Sequence, residues 1–199
     1  ARTGTGSLTV NFGSLTREAG SVAELTFPAS GAVTVDPATP VVNGILGGWA
    51  RSGLDYVTHS GGTLAVYSGY TTYTDGGKLA NNPALNYKVD DTSSGVITLA
   101  SAGTTDVNTI QFVGSDTTAR TLDIGSGNTL RLGQYGAIWR ALAAPGNATA
   151  LTSIVNGTLT AGGALNAAGE IIFTTSGNDS RLTRSSTSMS VTANIVDNG

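Results

Sequence analysis

Residues 118–136 read TARTLDIGSGNTLRLGQYG, and this stretch decides the fold class. Leu and Ile alternate with Thr, Asp and Arg in short runs, and each run ends at Gly, Ser or Asn. Thr and Ile are β-branched and suit a pleated strand, while Gly, Ser and Asn accept turn conformations. The stretch therefore predicts two short, half-buried β-strands separated by a tight turn.

Variants of this pattern recur at residues 94–101 (SGVITLAS), 155–163 (VNGTLTAGG) and 163–170 (GALNAAGE). Each places one or two apolar residues between Thr, Gly and Asn. In a β-solenoid, inward residues stack into apolar columns and outward residues stack into polar ladders. We therefore predict an all-β chain built as a β-solenoid (parallel β-helix), with a β-sandwich or a closed barrel as the alternatives.

Short β-type runs are predicted along the whole chain. They lie at residues 7–12, 22–27, 32–35, 63–67, 96–99, 107–113, 121–124, 129–132, 151–155, 157–160, 170–175, 180–183 and 190–196. Residues 135–144 (YGAIWRALAA) carry the strongest helical pattern. The competing interpretation there, an apolar strand followed by a loop, is the one we expect.

Composition excludes several classes of protein. Gly, Thr, Ser and Asn make up 90 of the 199 residues, charged residues are 12%, and the net charge is −3. A coiled coil or helical bundle needs more Glu, Lys and Arg, and a disordered polyelectrolyte needs a higher net charge. The ten basic residues are scattered, so no nucleic acid partner is expected. No apolar run reaches the ~20 residues of a membrane span, and with no cysteine there is no disulfide framework.

Residues 41–91 differ from the rest of the chain. They hold Trp49, five of the six Tyr, both Lys and the only His. We predict one solenoid segment over 1–199, with 41–91 as an insertion or lateral excursion. The chain starts at Ala1 without Met and ends in the middle of the repeat pattern, so we expect a trimmed piece of a longer protein.

Several ordered blocks resemble the autotransporter-associated β-strand repeat proteins, which are large exported proteins of bacteria that include planctomycetes and verrucomicrobia. The blocks are 43–50 (NGILGGWA), 55–56 (DY), 67–70 (YSGY), 108–112 (NTIQF), 121–133 (TLDIGSGNTLRLG), 154–162 (IVNGTLTAG), 170–173 (EIIF) and 193–199 (ANIVDNG). The resemblance covers about residues 5–199. One departure is Tyr56, where the family pattern has Trp after Asp.

The resemblance implies a right-handed parallel β-helix, export and display at the bacterial cell surface or outside the cell. It implies no catalytic residue, because the family is defined by its scaffold. Our leading prediction is therefore a non-enzymatic structural protein of a surface fibre, serving adhesion, matrix or envelope architecture. Its partners would be further copies of itself or the continuation of a longer chain.

The main alternative is a carbohydrate-binding or carbohydrate-cleaving β-helix domain that acts on a surface polysaccharide. Four aromatic residues could stack on sugar rings: Trp49, Tyr67, Tyr70 and Tyr73. Cleavage would need acids in a common groove, for which Asp90, Asp91, Asp106, Asp116 and Asp123 are the candidates. Exposed rings beside two acids would favour this alternative, and burial of the rings would argue against it.

Other chemistry is weakly supported. Asp55, His59 and Ser60 are close in sequence, but a catalytic triad must meet in space, so we predict no catalytic residue. A secreted effector or protease is disfavoured for the same reason. Calcium could bind at 75–77, 90–91 or 178–179, although turn formation is the expected role and no cofactor is predicted. The glycine pairs carry no phosphate-loop motif and should supply positive φ at turns.

Assembly is the remaining functional prediction. The edge strands of a β-structure carry unpaired backbone groups that can pair with another chain. We predict that one N-terminal segment could be donated to the edge of another subunit: Ser7, Leu8, Thr9, Val10, Asn11 and Phe12.

Overall fold

The computed structural model describes residues 6–90, 95–114, 119–142, 151–177 and 188–198. Within these ranges the secondary structure consists of β-strands and turns, so the all-β prediction is confirmed. Residues 135–144, the strongest helical pattern, begin with the strand Tyr135–Leu142. Among the described residues no helix has the length and apolar character needed to cross a bilayer.

The chain divides into two compact units, Ala1–Ser68 and Gly69–Gly199. The boundary falls inside residues 41–91, the predicted excursion, and that stretch contributes strands to both units. The first unit contains β1 (Leu8–Asn11), β2 (Ala23–Glu24), β3 (Gly31–Thr34), β4 (Ala50–Ser52), β5 (Asp55–Ser60) and β6 (Thr63–Val66).

The six strands of the first unit form one mixed sheet in the order β1-β3-β6-β5-β4-β2. β1 pairs parallel with β3 and β2 pairs parallel with β4, while the central pairs are antiparallel. A two-residue turn at Gly61 and Gly62, with φ of 55° and 87°, joins β5 to β6. Positive φ at both positions is the type I′ geometry that suits a hairpin, as predicted for this glycine pair.

The second unit contains fourteen strands among the residues that the structure describes. They are β7 (Thr71–Thr72), β8 (Lys78–Leu79), β9 (Asn86–Val89), β10 (Gly95–Leu99), β11 (Thr104–Asp106), β12 (Thr109–Gly114), β13 (Arg120–Asp123), β14 (Thr129–Leu132), β15 (Tyr135–Leu142), β16 (Leu151–Val155), β17 (Thr158–Ala161), β18 (Glu170–Gly177), β19 (Ser188–Val191) and β20 (Asn194–Ile195).

Three parallel sheets organise the second unit, in the orders β7-β9-β12-β15-β18, β8-β10-β13-β16-β19 and β11-β14-β17-β20. From β9 onward, each strand pairs with the strand three places later in the chain. The chain therefore visits the three sheets in rotation, and we call one pass through the three sheets a circuit. Every pairing between the described strands of this unit is parallel.

Apolar side chains stack in register from circuit to circuit. Leu122 pairs with Ile97 on one side and with Ile154 on the other, and all three are buried. Leu130 and Leu159 form a second buried column. These columns belong to one contiguous core cluster of the second unit, and strand alternation puts the intervening Thr, Asp and Ser on the other face.

The central strands β12 and β15 of one sheet are buried on both faces. Ile110 and Phe112 face the core cluster, while the alternating Gln111 and its register partner Trp139 are also fully buried. Burial of both faces is typical of parallel sheets and explains the nearly continuous apolar run of β15. That run is the reason why residues 135–144 resembled a helix in sequence.

The circuits have unequal lengths. Asn86 pairs with Thr109, 23 residues later, whereas Tyr135 pairs with Glu170, 35 residues later. The additional residues lie partly in longer strands, since β15 has eight residues where β9 has four, and partly in the connections, while the strands keep their register. A fixed period is therefore missing from the sequence, although the pairing is regular.

Strand prediction succeeded mainly after residue 95. The predicted strand at 129–132 matches β14 and that at 151–155 matches β16. Six strands had no predicted counterpart: β4, β5, β7, β8, β9 and β11. The predicted run 190–196 is divided by a bend into the end of β19 and β20, and the predicted strand at 180–183 lies outside the described residues.

Gly157 is required by the stacking of two turns. It connects β16 to β17 with φ of 57°, and a Cβ there would lie 2.5 Å from the carbonyl oxygen of Gly125 and 2.6 Å from Cγ2 of Ile124. Both contacts are in the turn of the preceding circuit. Glycine therefore lets the two turns approach each other closely.

Gly157→Ala should lower the free energy of unfolding by about 2–4 kcal/mol, because left-handed strain and overpacking add. Gly127→Ala is the matched control, since Gly127 has φ of 78° but open space around a Cβ. It should cost only about 1 kcal/mol. Urea unfolding measures both, and equal losses would show that the turns do not need this close approach.

Candidate functional site

The predicted stacking residues of the first unit are Trp49 and Tyr67. Trp49 is 8% exposed, and its indole Nε1 donates to the carbonyl oxygen of Leu46 at 2.9 Å. The guanidinium of Arg17 lies 5.9 Å from the Trp49 ring centroid. Tyr67 is half-buried. Trp49 therefore serves packing in this unit and offers little open ring face to a sugar.

The predicted stacking residues of the second unit are Tyr70 and Tyr73. Tyr73 is 4% exposed, and its hydroxyl donates to the carbonyl oxygen of Gly77 at 2.9 Å. Tyr70 is half-buried, with Nζ of Lys88 4.7 Å from its ring centroid. A cation at this distance is attracted to the ring face. Two of the four predicted rings, Trp49 and Tyr73, are thus buried.

Tyr73 closes a tight turn at residues 74–77, one of the predicted calcium loops. Gly76 has φ of 78°, and the amide of Gly77 donates to the carbonyl oxygen of Thr74 at 2.8 Å. Burial, and to a smaller extent the negative charge of Asp75, raises the pKa of Tyr73 above its ordinary value. The structure therefore supports the turn-forming role expected for this sequence.

His59 holds two backbone segments of the first unit together. Its Nε2 lies 2.8 Å from the carbonyl oxygen of Thr39, and its Nδ1 accepts a hydrogen bond from the amide of Gly62 at 3.2 Å. Because Nδ1 accepts, the ring proton is on Nε2, which donates to Thr39. Asp55 lies on the same strand four residues away, a separation of about 13 Å in extended chain. These two residues therefore do not form the hydrogen-bonded pair of a triad.

Two of the candidate acids for sugar cleavage lie on strands of different sheets. Asp106 lies on β11 and Asp123 on β13, which belong to separate sheets. Asp123 accepts hydrogen bonds from the Gly125 amide at 2.9 Å and from Nδ2 of Asn156 at 2.8 Å. Asp91 and Asp116 lie outside the described residues, as does the candidate calcium pair at 178–179. Across the described ranges, no group of three or more His, Asp or Glu could hold a metal ion.

Two acid–arginine pairs join neighbouring parallel strands in register. Asp106 on β11 receives two hydrogen bonds from Arg131 on β14, at 2.6 and 3.1 Å, and both side chains are largely buried. Glu24 on β2 lies 3.2 Å from Arg51 on β4, but the Glu24 side chain is 51% exposed. The first pair is therefore much less screened by solvent than the second.

Two buried arginines were missed by sequence reasoning. Arg120 is 2% exposed and Arg140 is fully buried, and Nη1 of Arg140 donates to the hydroxyl of Thr152. Arg120 pairs in register with the same Thr152. The only sequence signal was the position of both arginines inside apolar strand patterns, which placed them next to the core.

The candidate donated segment, residues 7–12, forms an edge of the first unit. Its strand β1 pairs with β3 on one side, and among the described strands none pairs with its other side. The sheet begins at β1 and ends at β2, and both edges line one groove of about 420 Å³. The groove is mostly apolar, and its walls include Leu8, Val10, Phe12, Leu25, Phe27 and Val33.

Asp106→Ala should lower the free energy of unfolding by about 2 kcal/mol, because it removes two charge-assisted hydrogen bonds from a largely buried guanidinium. Glu24→Ala, which opens the exposed pair, should cost less than about 1 kcal/mol. Double-mutant cycles with Arg131→Ala and Arg51→Ala isolate the two pair energies. Equal coupling energies in the two cycles would contradict the difference in screening.

Tyr73 should make the protein less stable at alkaline pH. The unfolded chain releases the phenolic proton near pH 10, whereas the raised pKa of the folded state retains it. Stability is therefore lost as the pH rises above about 10. Tyr73→Phe should cost about 1 kcal/mol at pH 8, through the lost hydrogen bond, and should flatten the decline between pH 8 and 11. If urea unfolding shows that the wild type and Tyr73→Phe lose stability with pH at the same slope, then Tyr73 titrates alike in the folded and unfolded states.

Neither a family model nor a curated protein nor a solved structure matches this chain. The resemblance to autotransporter-associated β-strand repeats therefore stays a prediction from the blocks quoted above. Function has to be inferred from the sheets, columns and edges of the chain itself.

Proposed function

We propose that this chain is a non-enzymatic structural protein, a β-solenoid segment of a bacterial cell-surface or extracellular fibre. The solenoid is a right-handed parallel β-helix, and the aromatic-rich residues of 41–91 form a lateral excursion from it. The observation that carries the proposal is the rotation of the chain through three parallel sheets with constant register. A scaffold of this kind adds length by adding circuits, which suits a fibre or a spacer.

The burial of the columns supports a scaffold role. Leu159 on β17 is fully buried, while its register partner Ile195 on β20 is 56% exposed. Ile138 on β15 is likewise fully buried beside Phe173 on β18, which is 39% exposed. In these two columns the residue with a circuit on both sides is covered and its partner in the last circuit is exposed, so neighbouring circuits stabilise one another.

The chemistry of the described side chains also favours structure over catalysis. Asp106, Asp123 and His59 are each engaged in hydrogen bonds that hold strands or turns. Trp49 and Tyr73 pack inside their units. The chain would associate with itself or continue into a longer polypeptide at the cell surface.

Electron microscopy of the native material tests this proposal. Gold-labelled antibodies against this chain should decorate filaments on intact bacterial cells, because a surface fibre is accessible without lysis. An antibody against a cytosolic protein of the same cells is the control for leakage. Labelling that appears only after lysis, or only on dispersed particles, would refute the fibre.

A further inference from the structure

We propose that β1 pairs antiparallel with β1 of a second copy of this chain, so that two first units share one continuous sheet. The pairing uses only residues of the first unit. It goes beyond the proposed function and does not depend on it, because a dimer could form whatever the second unit does.

The free edge of β1 offers two sets of backbone groups. The amides of Leu8 and Phe12 donate to Ser30 and Thr34, so the even-numbered residues of β1 bond toward β3. In a ladder, alternate residues direct their backbone groups to opposite sides. The N–H and C=O groups of Thr9 and Asn11 therefore point to the free edge, and both residues are exposed.

One register satisfies these groups with a second copy. When Val10 lies opposite Val10 of the second copy, Thr9 lies opposite Asn11 of that copy, and the reverse holds across the two-fold axis. Each Thr9–Asn11 pair then exchanges two hydrogen bonds, as an antiparallel ladder requires at alternate positions. A two-fold axis needs such self-complementarity, since the same patch serves both partners.

The side chains fit the same register. Leu8, Val10 and Phe12 alternate on one face of β1 and line the apolar groove. Both Leu8 and Phe12 line this groove, yet Leu8 is 41% exposed and Phe12 is 53% exposed. The groove is therefore open to solvent at these side chains. In the dimer Leu8 faces Phe12 of the second copy, an aliphatic–aromatic cross-strand pair of a stabilising kind.

The absence of charge on β1 and the continuity of the sheet favour a second copy of this chain as the partner at the β1 edge. Residues 7–12 carry no charged side chain, so identical strands meet without repulsion. Among the described residues that line the groove, Glu24 alone is charged, and it is paired with Arg51. The new contact also extends an existing sheet, because β1 already pairs with β3 on its other side.

Cysteine cross-linking of the full chain tests the register. The chain has no cysteine, so a single introduced thiol can form a disulfide only between copies. Val10→Cys would sit at a position without ladder hydrogen bonds, where the two Cα atoms are about 4.5 Å apart, within the range that a disulfide needs. Val96→Cys is the control, since Val96 is 58% exposed in the second unit and reports random collision.

Val10→Cys should form covalent dimers at least about tenfold faster than Val96→Cys. Equal rates, or a wild-type chain that remains monomeric in sedimentation equilibrium at millimolar concentration, would overturn the proposal. A chain whose β1 is reserved for a strand of another protein would give that monomeric result.

A charge pair provides a second test that leaves the groove intact, because Thr9 and Asn11 face away from it. The variant Thr9→Asp with Asn11→Asp puts like charges opposite each other twice and should weaken dimerisation at least about tenfold. The matched variant Thr9→Lys with Asn11→Asp puts opposite charges there and should dimerise at least as well as the wild type. Equal dimerisation of the two variants would overturn the antiparallel register.

Discussion

Parallel backbone pairing between strands one circuit apart is the constraint on which the second unit depends. A strand of four to eight residues such as β14 or β15 cannot be stable alone, and the paired strands of this unit lie 16 to 37 residues apart along the chain. The columns, the turn at Gly157 and the bidentate pair of Asp106 with Arg131 all follow from that register. Contacts of such sequence separation require loop closure before any pairing energy is gained, so we expect slow folding.

The sequence predicted the strand content better than it predicted the pairing. Residues 96–99 and 129–132 alternate in a way that depends only on local chemistry, and both are strands. β7 and β8 have two residues each and exist because β9 and β10 lie beside them. No local pattern in residues 71–79 could reveal that support. The long apolar run of β15 resembled a helix because this strand is buried on both faces.

For the candidate site residues too, local sequence patterns did not reveal the three-dimensional environment. Tyr73 and Trp49 belong to an aromatic cluster in sequence, but only three-dimensional packing determines whether a ring is open to a ligand. The arginines at 120 and 140 are the reverse case, since arginine is mostly an exposed residue in proteins and the structure buries both. The edge position of residues 7–12 was predictable as a pairing surface, yet its partner β3 and the groove depend on residues 24–33.

The unequal lengths of the circuits have a consequence for folding fidelity. Repeats that are identical can exchange partners, because a strand displaced by one whole repeat finds an equivalent neighbour. Here the span from one strand to its counterpart grows from 23 residues at Asn86 to 35 at Tyr135. For a displaced strand, the connecting segment would be either too short to reach the new partner or longer than the new pairing needs. The unequal spans thus disfavour pairing out of order in a repetitive, threonine-rich chain.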